Sequence, residues 1–278
     1  MADQPLVVIA APNGARLSKA GHPAVPLNTE EIANCARELA AVGVSVLHLH
    51  VRDANGGHVL DAGRYLATID AIREQTADRL VIQVTTEAVG RYDRWQQMGL
   101  LRQLQPEAAS LALRELCPDA EAEAEAGEFF RELVEAGTWP QYILYSPAEV
   151  TRFERLRQDG FFGTPDPFAL FVLGRYSDSL QGDPGELDGF RAAFDAGAFP
   201  WAVCCFGPAE AAAVKRAASV GGHVRIGFEN NRTLPDGTQA RDNAQLVAAE
   251  LELIERSGAL NRPLASAEWV RRKLAGKR

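Results

Sequence analysis

The 278-residue chain is short of cysteine and of positive charge, and it has no long apolar run. Each shortage removes a class of protein. The four cysteines, Cys35, Cys117, Cys204 and Cys205, form no CxxC pair, and adjacent cysteines rarely bridge each other. A disulfide framework is not indicated, and reduced thiols of a cytoplasmic protein are expected. The formal net charge of -8 offers no basic face or arm to neutralise phosphates, so a general nucleic-acid binder is excluded. An anionic substrate is not, because a pocket can be locally basic. No stretch reaches the roughly 18 apolar residues of a membrane span, and MADQPLVVIAAP has no basic leader region, so no membrane partner is expected. No GxGxxG follows the first apolar run, and GxxxxGK[ST] is absent, which removes the common nucleotide-binding fingerprints. No GxSxG elbow or Cys–His motif points to covalent catalysis.

What remains is an ordinary soluble composition, 46% hydrophobic and 24% charged. A core of this size needs no metal for stability, so any metal is expected to be functional. Apolar, strand-length runs recur at 6–12, 44–51, 80–86, 108–115, 140–145, 168–174, 201–207 and 223–230. Helical patterns lie between them at 29–43, 61–75, 93–104, 122–137, 147–160, 186–197, 208–221 and 243–258. The first opens on a threonine cap at Thr29 and closes in glycine. AEAEAEAGE (120–128) reads as an exposed helix start with acids at the positive dipole end. Eight strands, each followed by a helix, imply a parallel sheet. On this length they favour a single-domain α/β fold, a closed (β/α)8 TIM barrel, over an open doubly wound sheet. One more helix is expected at about 265–275, packed outside the barrel or on a neighbouring subunit.

Two of the five histidines stand in the strand pattern VLHLHV. Alternation puts His48 and His50 on one face and Leu47, Leu49 and Val51 on the other. The leucines suit the helix layer, so the histidines point into the barrel near the strand's C-terminal end, where active sites of this fold lie. In HVRIGFEN the same parity turns His223, Arg225, Gly227 and Glu229 inward and brings Glu229 to the mouth. Two histidines and a carboxylate leave open positions for catalysis. Zn²⁺ suits the set best, and Mn²⁺, Ni²⁺ or Fe²⁺ also match it. HxH alone is weak, since buried histidines are often simply core. His22, His58 and His223 are assigned to that plainer role, as are Cys204 and Cys205. Thr85 and Gln83 share the inward face of LVIQVTT.

HLHVRD, PNGARLSKAGHPAVPLNTEEIA (12–33) and GGHVRIGFENN (221–231) together resemble the beta-keto acid cleavage enzymes, over residues 7 to about 258. The resemblance implies a zinc-dependent TIM barrel, usually a homotetramer. Such an enzyme converts a beta-keto acid and acetyl-CoA into acetoacetate and a new acyl-CoA. It implies His48, His50 and Glu229 as metal ligands, Arg225 as an aid to substrate activation, and Thr85 as a hydroxyl that holds the substrate. The chain also departs from the family pattern. Asn230 stands at the activating aspartate, Arg16 at an acid that meets a substrate amine, Glu87 at a glycine and Glu115 at a threonine. An amide cannot take a proton, so the general base falls to Glu115 or Glu87, with Glu115 preferred. The plainer role for each is an ion pair with Arg114 or Arg16. Parity places Arg114, not Glu115, beside Ser110 and Ala112, so Arg114 joins Thr85, Arg16 and Gln83 as substrate contacts. The rival readings are a metal-dependent aldolase or hydrolase working without CoA, and a metal-dependent binding protein without turnover.

Overall fold

In the computed structural model, which describes residues 4–175, 177, 179–259 and 262–273, eight short parallel strands close in sequence order into a barrel. The strands are β1 (Val8–Ala10), β2 (Val46–Leu49), β3 (Val81–Thr85), β4 (Ala108–Ala112), β5 (Trp139–Leu144), β6 (Phe168–Leu173), β7 (Trp201–Cys205) and β8 (His223–Ile226). Closure comes from β1, which pairs with β2 through Ile9 and Val46 and with β8 through Ile9 and Arg225. The helices are α1 (Thr29–Ala41), α2 (Ala62–Thr76), α3 (Arg94–Leu104), α4 (Leu113–Leu116), α5 (Glu123–Glu135), α6 (Pro147–Gln158), α7 (Glu186–Arg191), α8 (Glu210–Ser219), α9 (Asn243–Arg256) and α10 (Ala267–Lys273).

Parity sorts the core into two layers. Val46, Val81, Ala108, Phe168, Leu170 and Cys204 fill the barrel interior. Leu47, Leu49, Ile82, Leu111, Phe171 and Val203 face the helices. Both faces of every strand are therefore covered, which is why the strands read as continuous apolar runs.

Side chains fix several helix starts. Asp61, Asp93, Ser146 and Asp242 each accept from a backbone N–H of the first turn. At α1 the cap is Asn28, whose Oδ1 accepts from the Glu31 N–H, and Thr29 is already helical. The pattern at 186–197 yields only the short α7, after which Phe194 stacks on Phe199 at 4.5 Å.

Two differences from the sequence expectation matter for the site. The run at 108–115 is not one strand: β4 ends at Ala112 and α4 carries Arg114 and Glu115 off the sheet. The terminal helix does not lie outside its own barrel. Ala265, Ala267 and Val270 join the interior cluster, and Arg271 bonds Glu107, Asp78 and the Leu80 carbonyl, just before β4 and β3. α10 thus packs against the barrel's N-terminal end, opposite the mouth. Residues 274–275 of the expected helix lie outside the described residues.

Candidate active site

His48 is the third residue of β2, and His50 follows one residue past its end. Both are buried, with Leu47 and Leu49 held in the helix layer. Their Nε2 atoms lie 3.0 Å apart. Each also lies close to Glu229 Oε2, at 3.5 Å from His48 and 3.4 Å from His50. Glu229 does not arrive by strand alternation, because β8 ends at Ile226. The chain turns at Gly227, whose φ is +149° and where a Cβ would sit 2.3 Å from the Ala11 carbonyl oxygen. The Glu229 N–H then donates to that same oxygen at 3.1 Å. Gly14, with φ +58°, packs on the Glu229 side chain so closely that a Cβ would lie 2.5 Å from its Cγ.

Electrostatics prepare the set. His48 Nδ1 lies 2.9 Å from Gln83 Oε1, an atom that can only accept, so Nδ1 carries the proton and Nε2 keeps its lone pair. Burial, then the Arg225 cation, pushes the His48 pKa down to about 3, so the ring is neutral. Burial would raise the Glu229 carboxyl, but Arg225 and the two histidines outweigh it and hold the pKa well below the usual range. Arg225 Nη2 donates to Glu229 Oε1 at 2.5 Å. Desolvation opposes the buried guanidinium's charge, and Glu229 more than restores it.

These residues suit a divalent cation. Glu229 Oε2 is buried and has no hydrogen-bond donor among the described residues. It faces an imidazole nitrogen whose lone pair is fixed toward it, with the second imidazole alongside. The 3.0–3.5 Å spacings match the edge of a tetrahedron with roughly 2.1 Å metal–ligand bonds, an edge of about 3.4 Å. Among the described residues, these three form the one histidine, cysteine and carboxylate group close enough to share an ion.

Above the trio opens a cavity of about 500 Å³, lined among others by Arg16, Glu87, Arg175, Phe206, Glu229 and Asn230. A smaller recess beneath it reaches His48, Thr85, Tyr145 and Arg225.

The model of one protein family, beta-keto acid cleavage enzyme, matches residues 5–275. The chain belongs to the beta-keto acid cleavage enzymes. It is 30% identical over 280 residues to a Fusobacterium nucleatum 3-keto-5-aminohexanoate cleavage enzyme, covering 98% of each chain. It is 25% identical to a Cupriavidus necator 3-oxoadipate:acetyl-CoA acetyltransferase, covering 96% of this chain and 94% of that one. A ternary complex of ObcA with a C4-CoA adduct and oxalate shares the fold, with TM-score 0.70, 19% identity, and 91% and 67% of the two chains covered. The family makes this chain an enzyme of carbon–carbon bond cleavage.

In this beta-keto acid cleavage enzyme the other expected site residues divide. Thr85 ends β3, lines the recess, and accepts the Glu87 N–H on its hydroxyl at 3.2 Å. Glu87 lines both cavity and recess and pairs with Arg16 at 2.6 Å and Arg175 at 3.5 Å. Asn230 is buried, with Oδ1 3.4 Å from Arg225 Nε.

Three of the expected residues line neither the cavity nor the recess. Gln83 is fully buried behind His48 and holds its ring rather than lining the cavity. Arg114, displaced by α4, donates through Nε to Glu149 at 2.6 Å and lies over the Tyr145 ring. Glu115, on the same short helix, lines neither cavity nor recess. Its Oε2 accepts the Ala88 N–H at 3.1 Å and, with the Gln97 amide turned to satisfy its neighbours, a bond from Gln97 at 3.3 Å. Burial pushes its pKa up to about 7. Of the two candidate bases, Glu87 and not the preferred Glu115 lines the cavity.

The sequence reading missed three neighbours. Arg175 lies two residues past the end of β6, and a charged residue at that end of a barrel strand was the available signal. Arg52 is buried and donates to the carbonyls of Asn13, Gly14, Leu17 and Gly56, fixing the loop that presses on Glu229. His58, placed by sequence in a polar turn, has its ring 5.1 Å from that of His50.

Proposed function

We propose that the protein exchanges acyl groups between a beta-keto acid and acetyl-CoA, with a divalent cation, Zn²⁺ by ligand chemistry, held by His48, His50 and Glu229. The carrying observation is the convergence of two imidazoles and one carboxylate at the mouth of a barrel of this family. The relative named for 3-oxoadipate and acetyl-CoA supports the CoA-dependent form of the reaction. The bound cation would supply Lewis-acid polarisation of the substrate's keto oxygen.

The chain's own groups carry the rest. Glu87 takes a proton from the carbon between keto group and carboxylate. That carbon bonds to the acetyl carbonyl carbon of acetyl-CoA, the thiolate leaves, and the thiolate then attacks the original keto carbon. The old carbon–carbon bond breaks, the proton held on Glu87 returns to the enolate carbon, and acetoacetate and the new acyl-CoA result. Arg225 places fixed positive charge beside the enolate that forms when that bond breaks. Asn230 contributes hydrogen bonds and no proton abstraction. Thr85 and Arg16 contact the substrate. Arg175, at the same cavity, adds a second cation for carboxylate or phosphate oxygens. We place the enzyme in the cytoplasm as a homo-oligomer, a tetramer. Four free thiols accord with a reducing compartment, and no helix among the described residues is long and apolar enough to cross a membrane.

A screen of beta-keto acids with acetyl-CoA, read by mass spectrometry of the thioesters, tests the reading. A new acyl-CoA together with acetoacetate is expected. Cleavage with no change in the thioester pool would instead establish an aldolase or hydrolase.

A further inference from the structure

Three of the four positions at which the chain departs from the family pattern, Arg16, Glu87 and Glu115, meet on one loop. Glu87 stands two residues past the end of β3, and its Oε1 pairs with Arg16 at 2.6 Å. Glu115, on α4, reaches the same loop through the Ala88 N–H. The backbone around Glu87 is held by three hydrogen bonds. Its own N–H donates to Thr85 Oγ1 at 3.2 Å. Its carbonyl oxygen, which can only accept, takes a bond from His58 Nε2 at 3.1 Å. The next N–H, of Ala88, donates to Glu115 Oε2 at 3.1 Å.

The last two bonds grip one planar peptide unit from opposite sides. His58 comes from the loop after β2 and Glu115 from the helix after β4, so the elements following both neighbours of β3 hold its loop. The grip acts on a strained segment. Val89 has φ +49°, a left-handed conformation that a β-branched residue rarely adopts. Such a conformation persists only where the surroundings impose it. The carboxylate's own ion pair cannot fix it firmly, because the Arg16 side chain is 57% exposed.

We infer that Glu115 and His58 are positioning residues for Glu87: by gripping the Glu87–Ala88 peptide from both sides, they set where the Glu87 carboxylate stands in the cavity. Neither lines the cavity or the recess, so each acts through Glu87. The inference rests on the reading of Glu87 as the base. It also explains why an amide should serve at 115, since a glutamine keeps an acceptor oxygen there.

The test uses the Zn²⁺-loaded full chain and acetoacetate, whose C2 proton Glu87 returns in the forward direction and removes in reverse. Exchange of the C2 hydrogens with deuterium from D₂O is followed by NMR and corrected for the spontaneous rate. The proteins are wild type, Glu115→Leu, Glu115→Gln, His58→Leu, His58→Gln and Glu87→Gln. Leucine keeps bulk and removes the bonding group. Glutamine returns an acceptor at 115, and at 58 a donor nitrogen as many bonds from Cα as Nε2. Each leucine variant should lose about 10–100-fold in maximal exchange rate, the scale on which a displaced group loses catalysis, with little change in half-saturating acetoacetate. Each glutamine variant should regain most of it. Zn²⁺ affinity by chelator competition should stay at the wild-type value in all four. Backbone amide exchange over residues 86–92, read by mass spectrometry, should quicken in the leucine variants and return to the wild-type rate in the glutamine ones. If Glu115→Leu does not fold, the His58 pair carries the test. Leucine variants within about twofold of the wild-type rate overturn the inference. Losses that glutamine fails to restore, or that run parallel to lost Zn²⁺ affinity, overturn it too, because the side chains then act through packing or the metal site. A wild-type rate in Glu87→Gln sinks the reading of Glu87 as the base, and the inference with it. A slow Glu87→Gln beside unimpaired leucine variants refutes the inference alone.

Discussion

His48, His50 and Glu229 were legible in the sequence because strand parity is a local property, and β2 obeys it through Leu49. The route of Glu229 was not, since it depends on a turn at Gly227. Glu115 and Glu87 show the limit more sharply. Either could be assigned the proton, and Glu115, with its pKa raised to about 7, looks the better base. Geometry takes precedence over basicity, however, and Glu87 is the one that lines the cavity. Glu87→Gln should lower kcat by about 10²–10⁴, while Glu115→Gln should leave it within a few-fold. Steady-state kinetics on the true substrate decides, and the reverse order would restore Glu115 as the base.

Glu115 carries a second prediction, in stability. Its folded pKa, about 7, lies above the ordinary value of 4.5, so folding favours the protonated form. That contribution is fully present below pH 4.5, is lost as pH rises through 7, and is constant above. Relative to wild type, Glu115→Gln should therefore be neutral in stability near pH 4 and stabilising by roughly 3 kcal/mol at pH 8. Urea melts at the two pH values measure it. An equal effect at both would show that Glu115 is not held protonated.

At the scale of elements, all eight strands were visible as apolar runs, because both faces of each are buried. Ends were less visible. The run through Glu115 looked like strand although α4 begins at Leu113, since LALRE carries no turn residue to mark the change. The place of His58 beside His50 was hidden because the loop after β2 must fold back before the two rings meet. The loop after β1 has a similar hidden task, pressing Gly14 onto Glu229. A Cβ at Gly14 would need both a left-handed φ of +58° and the space of Glu229 Cγ. Gly14→Ala should displace the carboxylate and weaken Zn²⁺ affinity tenfold or more, on the order of other losses of ligand support. Chelator competition tests this. Unchanged affinity would mean that the loop yields instead.

For the whole molecule, the closed barrel follows from eight βα units on this chain length, and its mouth gathers the ends of β2, β3, β6 and β8 with the loops that follow them. The terminal helix, expected outside the barrel or on a neighbour, instead packs against the N-terminal end, an arrangement set by three-dimensional packing that its amphipathic pattern does not encode. Assembly is a separate expectation. Light scattering at micromolar concentration should give a particle four times the 30.1 kDa chain, and a monomer would refute the tetramer. The central claim is metal-dependent acyl exchange, and label transfer tests it most directly. The enzyme is given acetyl-CoA carrying ¹³C in both acetyl carbons, with a panel of beta-keto acids, as purified, after metal removal and after Zn²⁺ is restored. The account predicts labelled acetoacetate and an unlabelled new acyl-CoA, abolished by metal removal and regained with Zn²⁺. Label in the new acyl-CoA, or turnover indifferent to metal removal, would contradict it.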